Sequence, residues 1–169
     1  MLVRATLERD IQWLPDVERS AAQAFAGWPA LAWLAQGDVM DCAQHRAFID
    51  AGGSWVAEDS AGRIVGFACA RFEGRVLHLH EISVRHEAQG QGVGRRLLQR
   101  VVDEARLGGA SELTLTTFVD VPWNAPFYLR YGFEMIEKGL LSERLRGILA
   151  SEHAHGLIGR CAMRYRVGS

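Results

Sequence analysis

Three runs in this sequence carry residue types and spacings that could do chemistry. The first is Gln89-Gly90-Gln91-Gly92-Val93-Gly94, followed by Arg95. It lies between a strand-like segment and the start of an amphipathic helix. At such a junction the opening N–H groups have no acceptor within the helix, and the helix dipole adds positive potential. The place suits an anionic phosphate, and glycines let the phosphate approach the backbone closely. Two familiar phosphate motifs fail on the residues. A P-loop needs G-x-x-x-x-G-K-[ST], but Arg95 and Arg96 follow Gly94, with neither Lys nor Ser/Thr. A dinucleotide fingerprint begun at Gly90 would need a third glycine where Arg95 stands. For the loop alone, a turn that merely starts a helix stays open as the alternative.

The second run is Val76–Arg85, with His78, His80 and Glu81 close together. On a strand the two histidines share one face and Glu81 points to the other. Histidine titrates near pH 6.5, so such a pair suits a proton relay at neutral pH. Polar filling of a strand is the structural alternative. A metal site would need a third ligand that is not obvious here, so no metal is expected. The third run, Asn124-Ala125-Pro126-Phe127-Tyr128-Leu129-Arg130-Tyr131-Gly132-Phe133, puts a tyrosine on a short helix before a Gly-Phe strand. Tyr128 could equally be a core residue that packs the helix on a sheet.

The elements that must position these residues follow from periodicity. Residues 2–8 read as a first strand. From Ile11 to Ala26 the apolar positions recur at three and four residues, a helix with Pro15 near its start. A second helical region covers about 30–50 and stops at Gly52-Gly53. Strands at Ser54–Glu58 and Ile64–Arg71 form a hairpin through Asp59-Ser60-Ala61-Gly62. Gly74 marks another turn before the strand 76–85. Val93, Leu97, Leu98, Val101, Val102 and Ala105 make one helical stripe, ended by Gly108-Gly109. Then come a strand at Glu112–Phe118, a helix at 124–131, a strand at Phe133–Glu137, a helix at 142–154 and a last strand at Arg160–Val167. The order predicts an α/β fold, with a mixed, mostly antiparallel central sheet and flanking helices in a single domain over 1–169.

Composition bounds the function. With 169 residues and 49% hydrophobic content, the chain can bury a full core. A net charge of -1 leaves no electrostatic footprint for nucleic acid. The basic residues are nearly all arginine, with Lys138 the one lysine; no physical reason for that bias is evident. Cys42, Cys69 and Cys161 are far apart and form no C-x-x-C, against a zinc site or a disulfide framework. No apolar leader and no run of 18 apolar residues is present, so the expectation is no membrane span and a cytoplasmic location.

Gln89–Gly94 resembles the Q/R-x-x-G-x-G/A signature of the GNAT N-acetyltransferase superfamily. Asn124–Phe133 is similar to that family's second signature, a short helix carrying Tyr before a Gly-Phe strand. The two stand in the family's order and spacing and together cover about 75–137. The resemblance implies an acetyl-CoA enzyme with a splayed sheet. The pyrophosphate would lie on the amides of 90–95, covering Gly90, Gln91, Gly92, Val93, Gly94 and Arg95 beside Gln89. The pantetheine would pair with the backbone of Ile82, Ser83 and Val84, and Tyr128 would lie near the thioester sulfur. One departure stands out. Many members carry Asn seven residues before the Tyr, where this chain has Val121. Asn124 could contact the coenzyme or cap a helix.

Acetyl transfer to an amine needs a base for the ammonium, stabilisation of the oxyanion and a proton for the leaving thiolate. Tyr128, protonated at neutral pH, could supply that proton. His-Leu-His on the strand and the segment around Tyr128 are similar to arylalkylamine N-acetyltransferases, where such histidines feed a proton wire. Other members use a strand carboxylate through water, which favours Glu81. The acceptor pocket of the family lies between the first two helices and the sheet. Phe25, Trp28, Trp33 and Trp123 could line it for an apolar or aryl amine; core packing is their alternative. The reading is acetyl transfer from acetyl-CoA to a small primary amine. A peptide acceptor and a coenzyme-binding sensor without turnover stand as alternatives. A homodimer joined through the last strand is possible in such a fold.

Overall fold

A computed structural model describes residues 1–168. Seven strands form one sheet: β1 (Leu2–Ala5), β2 (Ser54–Glu58), β3 (Ile64–Glu73), β4 (Val76–Val84), β5 (Glu112–Phe118), β6 (Glu134–Met135) and β7 (Arg160–Arg166). Their order across the sheet is β1-β2-β3-β4-β5-β7-β6. The β1–β2, β2–β3, β5–β7 and β6–β7 pairs are antiparallel. β4 and β5 are parallel, in register from Val76↔Glu112 to His78↔Thr114. Five helices join them: α1 (Leu14–Ala22), α2 (Cys42–Asp50), α3 (Val93–Leu107), α4 (Ala125–Tyr131) and α5 (Glu143–Ala154). The mixed, mostly antiparallel sheet and its flanking helices match the expected fold class. Among the described residues no helix is long and apolar enough to cross a membrane.

The hairpin forms where the turn residues placed it. Asp59 Oδ1 accepts from the amides of Ala61 and Arg63, both at 2.9 Å, and Gly62 supplies φ +80°. The expected first helix is shorter than its pattern. Only Leu14–Ala22 is α-helical, with 3₁₀ turns at Glu8–Trp13 and Gln23–Gly27 on either side. The expected helix over 30–50 is two elements, a 3₁₀ stretch Pro29–Gln36 and α2. Gly37 is extended between them, and Asp41 starts α2 afresh. Asp41 Oδ1 accepts from Gln44 N–H while Gln44 Oε1 accepts from Asp41 N–H, each at 2.8 Å. The strands predicted at 2–8 and Phe133–Glu137 shrink to Leu2–Ala5 and Glu134–Met135.

Backbone contacts cluster into two units, Met1–Arg71 with Leu79–Asp103, and Phe72–His78 with Glu104 onward. The first has a core of Leu14, Val17, Phe48, Val56, Ile64, Phe67 and Cys69. The predicted stripe of α3 is buried, with Leu97, Leu98 and Val101 at 0% exposure. Gly66 allows this packing. A Cβ there would sit 3.0 Å from Leu97 Cδ1 and from Ser83 O. The second unit packs α5 through Leu145, beside Ile136 and Ala162. Its aromatic group joins Tyr128, Tyr131, Phe133 and Tyr165, with centroids 5.4 Å apart for Tyr128–Phe133 and 5.7 Å for Tyr131–Tyr165.

His45 on α2 is fully buried, edge-on to Phe67 at 5.0 Å, and neither ring nitrogen has a hydrogen-bond partner among the described residues. Burial pushes its pKa down, and the charge of Asp41 only partly offsets this. The sign follows from linkage. Below pH about 6.5 the unfolded chain binds a proton that the folded chain does not, so stability falls as pH drops. The slope is at most about 1.4 kcal/mol per pH unit. His45→Leu is expected to remove it. Urea midpoints compared near pH 7.5 and pH 5.5 check this; an unchanged slope in the variant refutes the assignment to His45.

Candidate active site

The glycine loop is braced from its own unit. After β4, a 3₁₀ turn at His86–Ala88 leads to Gln89. Gln89 Nε2 donates to Val84 O at 3.0 Å and to Ala21 O at 3.5 Å, tying the loop to the ends of β4 and α1. Gln91 Nε2 donates to Glu87 O at 3.3 Å. Ser20 Oγ accepts from His86 N–H at 2.9 Å and donates to Glu87 Oε2 at 3.3 Å. Arg63 Nη2 holds the other Glu87 oxygen at 2.6 Å. Sequence reasoning missed Ser20, Arg63 and Glu87, which lie far apart in the chain and have no local motif.

Gly90 and Gly92 adopt φ +76° and +83°, a conformation that favours glycine. A Cβ at either would meet nothing within 4 Å, so open space fronts the loop. The helical ladder begins with Arg96 N–H to Gly92 O at 3.1 Å. The amides from Val93 onward therefore open α3 ahead of the ladder, with Val93 buried to anchor the turn. This geometry is that of a helix N-terminus able to receive a phosphate.

β4 puts its three polar residues in different surroundings. His78 is buried, and its Nδ1 lies 2.8 Å from Thr114 Oγ1 on β5. His80 is exposed, with its ring 5.1 Å from that of Phe48. Glu81 is half-buried and accepts from the buried Ser83 hydroxyl at 3.1 Å. Ile82 and Val84 are half-buried. The Cys69 thiol on β3 is pushed up by burial first, then by the charges of Glu81 and Glu18. Burial also raises the Glu18 carboxyl, although Glu18 Oε1 accepts from Met40 N–H at 3.2 Å. Glu18, outside every motif, was not anticipated.

Tyr128 is 6% exposed, and its ring meets Phe127 and Phe133 edge-on at 5.1 and 5.4 Å. Its carbonyl receives Gly132 N–H at 3.1 Å and Phe133 N–H at 3.0 Å, closing α4. Asn124 stands at the N-cap position of α4, but its side chain makes no cap hydrogen bond. Asn124 Oδ1 instead accepts from Thr117 Oγ1 at 2.7 Å and Phe118 N–H at 3.3 Å, fastening α4 to the end of β5. Of the four aromatics weighed for an acceptor pocket, none is in the core. Phe25 and Trp28 are half-buried, Trp33 is 50% exposed and Trp123 40%. Among the described residues no group of three or more His, Cys, Asp or Glu is placed to hold a metal ion.

The fold and the loop belong to one family. The sequence pattern of the acetyltransferase (GNAT) family matches residues 14–133. The N-alpha-acetyltransferase RimI of Mycobacterium tuberculosis is 31% identical over 131 residues, which is 72% of this chain and 74% of that one. This chain is a member of the GNAT acetyltransferase family. The mycothiol acetyltransferase of Saccharomonospora viridis is 34% identical over 107 residues, 56% of this chain and 34% of that protein. The chain spans about a third to a half of the length of several curated relatives. Among solved structures, Rv2747 from Mycobacterium tuberculosis, in complex with CoA, superposes with a TM-score of 0.73 over 98% of this chain and 99% of that one, at 16% identity.

Proposed function

We propose that this chain is an acetyl-CoA-dependent N-acetyltransferase whose acceptor is a small-molecule primary amine. One observation carries the reading: two left-handed glycines, facing open space, sit at the start of α3 in a chain of the GNAT family. The amides of Gly90 to Arg95 receive the pyrophosphate, and the backbone at Ile82, Ser83 and Val84 pairs with the pantetheine. The acceptor nitrogen attacks the thioester carbonyl. The C–N bond forms, the C–S bond breaks, and the leaving thiolate takes the phenolic proton of Tyr128. Exposed and half-buried aromatics at Phe25, Trp28 and Trp33 favour an apolar amine.

The test is release of free thiol from acetyl-CoA against aryl amines, polyamines, aminoglycosides, amino acids and peptides. Turnover with small amines supports the reading. Turnover with peptides alone replaces it by the second reading, a peptide N-terminus as acceptor. That reading is favoured by the match to the M. tuberculosis N-alpha-acetyltransferase over nearly three quarters of each chain. Coenzyme binding with no turnover on any acceptor points to a sensor.

The base lies on β4. His80 is the exposed member of the three, so it takes the ammonium proton and passes it to solvent, while Glu81 adds negative charge that favours a cation. With histidine as base, kcat/KM rises with pH through an apparent pKa nearer 7 than 10. His80→Gln is expected to flatten that limb with acetyl-CoA affinity unchanged, and Glu81→Gln to raise KM for the amine. His78→Gln tests whether the buried ring continues a relay. If Glu81→Gln alone abolishes the limb, the carboxylate is the base and His80 is not.

A further inference from the structure

A separate cavity of about 620 Å³ opens in the first unit, where the start of α1 meets the ends of β2 and β3. Its size is that of a small-molecule site. Its charges are not matched one to one. Arg4 holds both Asp10, at 2.7 Å, and Glu58, at 2.8 Å. Arg19 holds Asp16 at 2.7 Å, and Arg63 holds Glu87 at 2.6 Å. These pairs account for every carboxylate in the lining. Two lining arginines remain outside these close ion pairs, Arg9 and Arg85; the charge of Arg9 reaches Asp10 and helps Arg4 hold its carboxyl below the usual range. Arg85 Nε donates to Ile64 O at 2.9 Å, which leaves its two terminal nitrogens outside that bond.

The same cavity carries Trp13, a residue that is 50% exposed. Trp13 ends the 3₁₀ turn Glu8–Trp13, and the next residue, Leu14, is fully buried in the core. The backbone beneath the indole is therefore anchored. An exposed indole stacks flat rings, and guanidinium forks bind phosphate or carboxylate oxygens in pairs. The floor, Arg4 with the 5%-exposed side chain of Asp10, is a closed ion-pair network that offers no further cation.

We propose that this cavity is a second ligand site, for a small aromatic molecule carrying a phosphate or a carboxylate. Arg9 and Arg85 hold the anionic group, and Trp13 stacks the ring. The site is distinct from the glycine loop, although Arg85 lies four residues before Gln89. Its existence does not depend on acetyl transfer.

The probes are adenosine monophosphate, for the phosphate form, and phenylacetate, for the carboxylate form. Each is titrated into the full chain by calorimetry, with and without excess coenzyme A, while tryptophan emission is followed. The expected result is binding of at least one probe that weakens with added salt, changes the emission and survives excess coenzyme A. Which probe binds tells the phosphate form from the carboxylate form. Arg9→Gln and Arg85→Gln are each expected to weaken binding roughly tenfold or more, the scale of one charge-assisted contact. Trp13→Phe is expected to remove the emission change in a chain whose arginines are intact, which covers the case of a poorly folded arginine variant. The proposal is overturned if neither probe binds at millimolar concentration, if excess coenzyme A displaces the probe, or if binding is unchanged in both arginine variants.

Discussion

Gly92→Asp is expected to abolish acetyl-CoA binding while leaving the fold intact. Gly92 has φ +83°, and aspartate is among the few side chains that visit this region. A Cβ at that position meets nothing within 4 Å, so the new side chain is not forced into the core. The damage is electrostatic. A carboxylate about 5 Å from one phosphate charge costs about 3 kcal/mol at an effective dielectric of about 20, and a pyrophosphate carries more than one charge. One such interaction alone lowers affinity by roughly a hundredfold. Gly92→Ala separates strain from charge, because it adds the unfavourable φ without the carboxylate. Its loss is expected to be much the smaller. Gln91→Ala is expected to change affinity little, since the contact is carried by backbone amides. Calorimetry with acetyl-CoA on the three variants decides the matter. Unchanged affinity in Gly92→Asp removes the loop from the coenzyme site and leaves it as a helix start.

What could be read from the sequence was whatever a short window encodes. Asp59 and Gly62 specify their turn by local hydrogen bonds and a left-handed backbone, and the structure has that turn. The stripe Val93, Leu97, Leu98, Val101 repeats with the helical period and is buried as a unit. Apolar spacing reads the segment 30–50 as one helix because it does not register a break. Gly37 and the Asp41–Gln44 box interrupt it, and the box was present in the sequence as a polar pair three residues apart. The environments of His78 and His80 could not be read at all. Alternation puts them on one face, but the pairing of His78 with Thr114 on a strand 36 residues away is what buries one ring. The brace on the glycine loop is equally non-local, since Ser20 and His86 are 66 residues apart. Asn124 shows the limit of motif reading. Its place before a helix suggested a cap, yet Thr117 and Phe118 take its Oδ1.

Tyr128→Phe is expected to lower kcat by roughly 10²–10⁴, the range for a positioned general acid, with acetyl-CoA affinity unchanged. The two rings fill the same volume. The edge-on contacts of Tyr128 with Phe127 and Phe133 need only the ring, and the hydrogen bonds that close α4 use its carbonyl, not its phenol. The variant therefore keeps these ring and carbonyl contacts and loses the hydroxyl. That separation makes the experiment informative, because a structural and a chemical role predict different readouts. A packing role moves the melting temperature and spares turnover. A proton-donating role spares the melting temperature and lowers kcat and kcat/KM together, as expected for an interaction made only in the transition state. The leaving group offers a second control. A thioester whose thiol has a lower pKa leaves without help, so the penalty of the missing hydroxyl should shrink with it. If the variant turns over at the wild-type rate with acetyl-CoA itself, the thiolate is protonated from solvent, and Tyr128 serves the aromatic core alone.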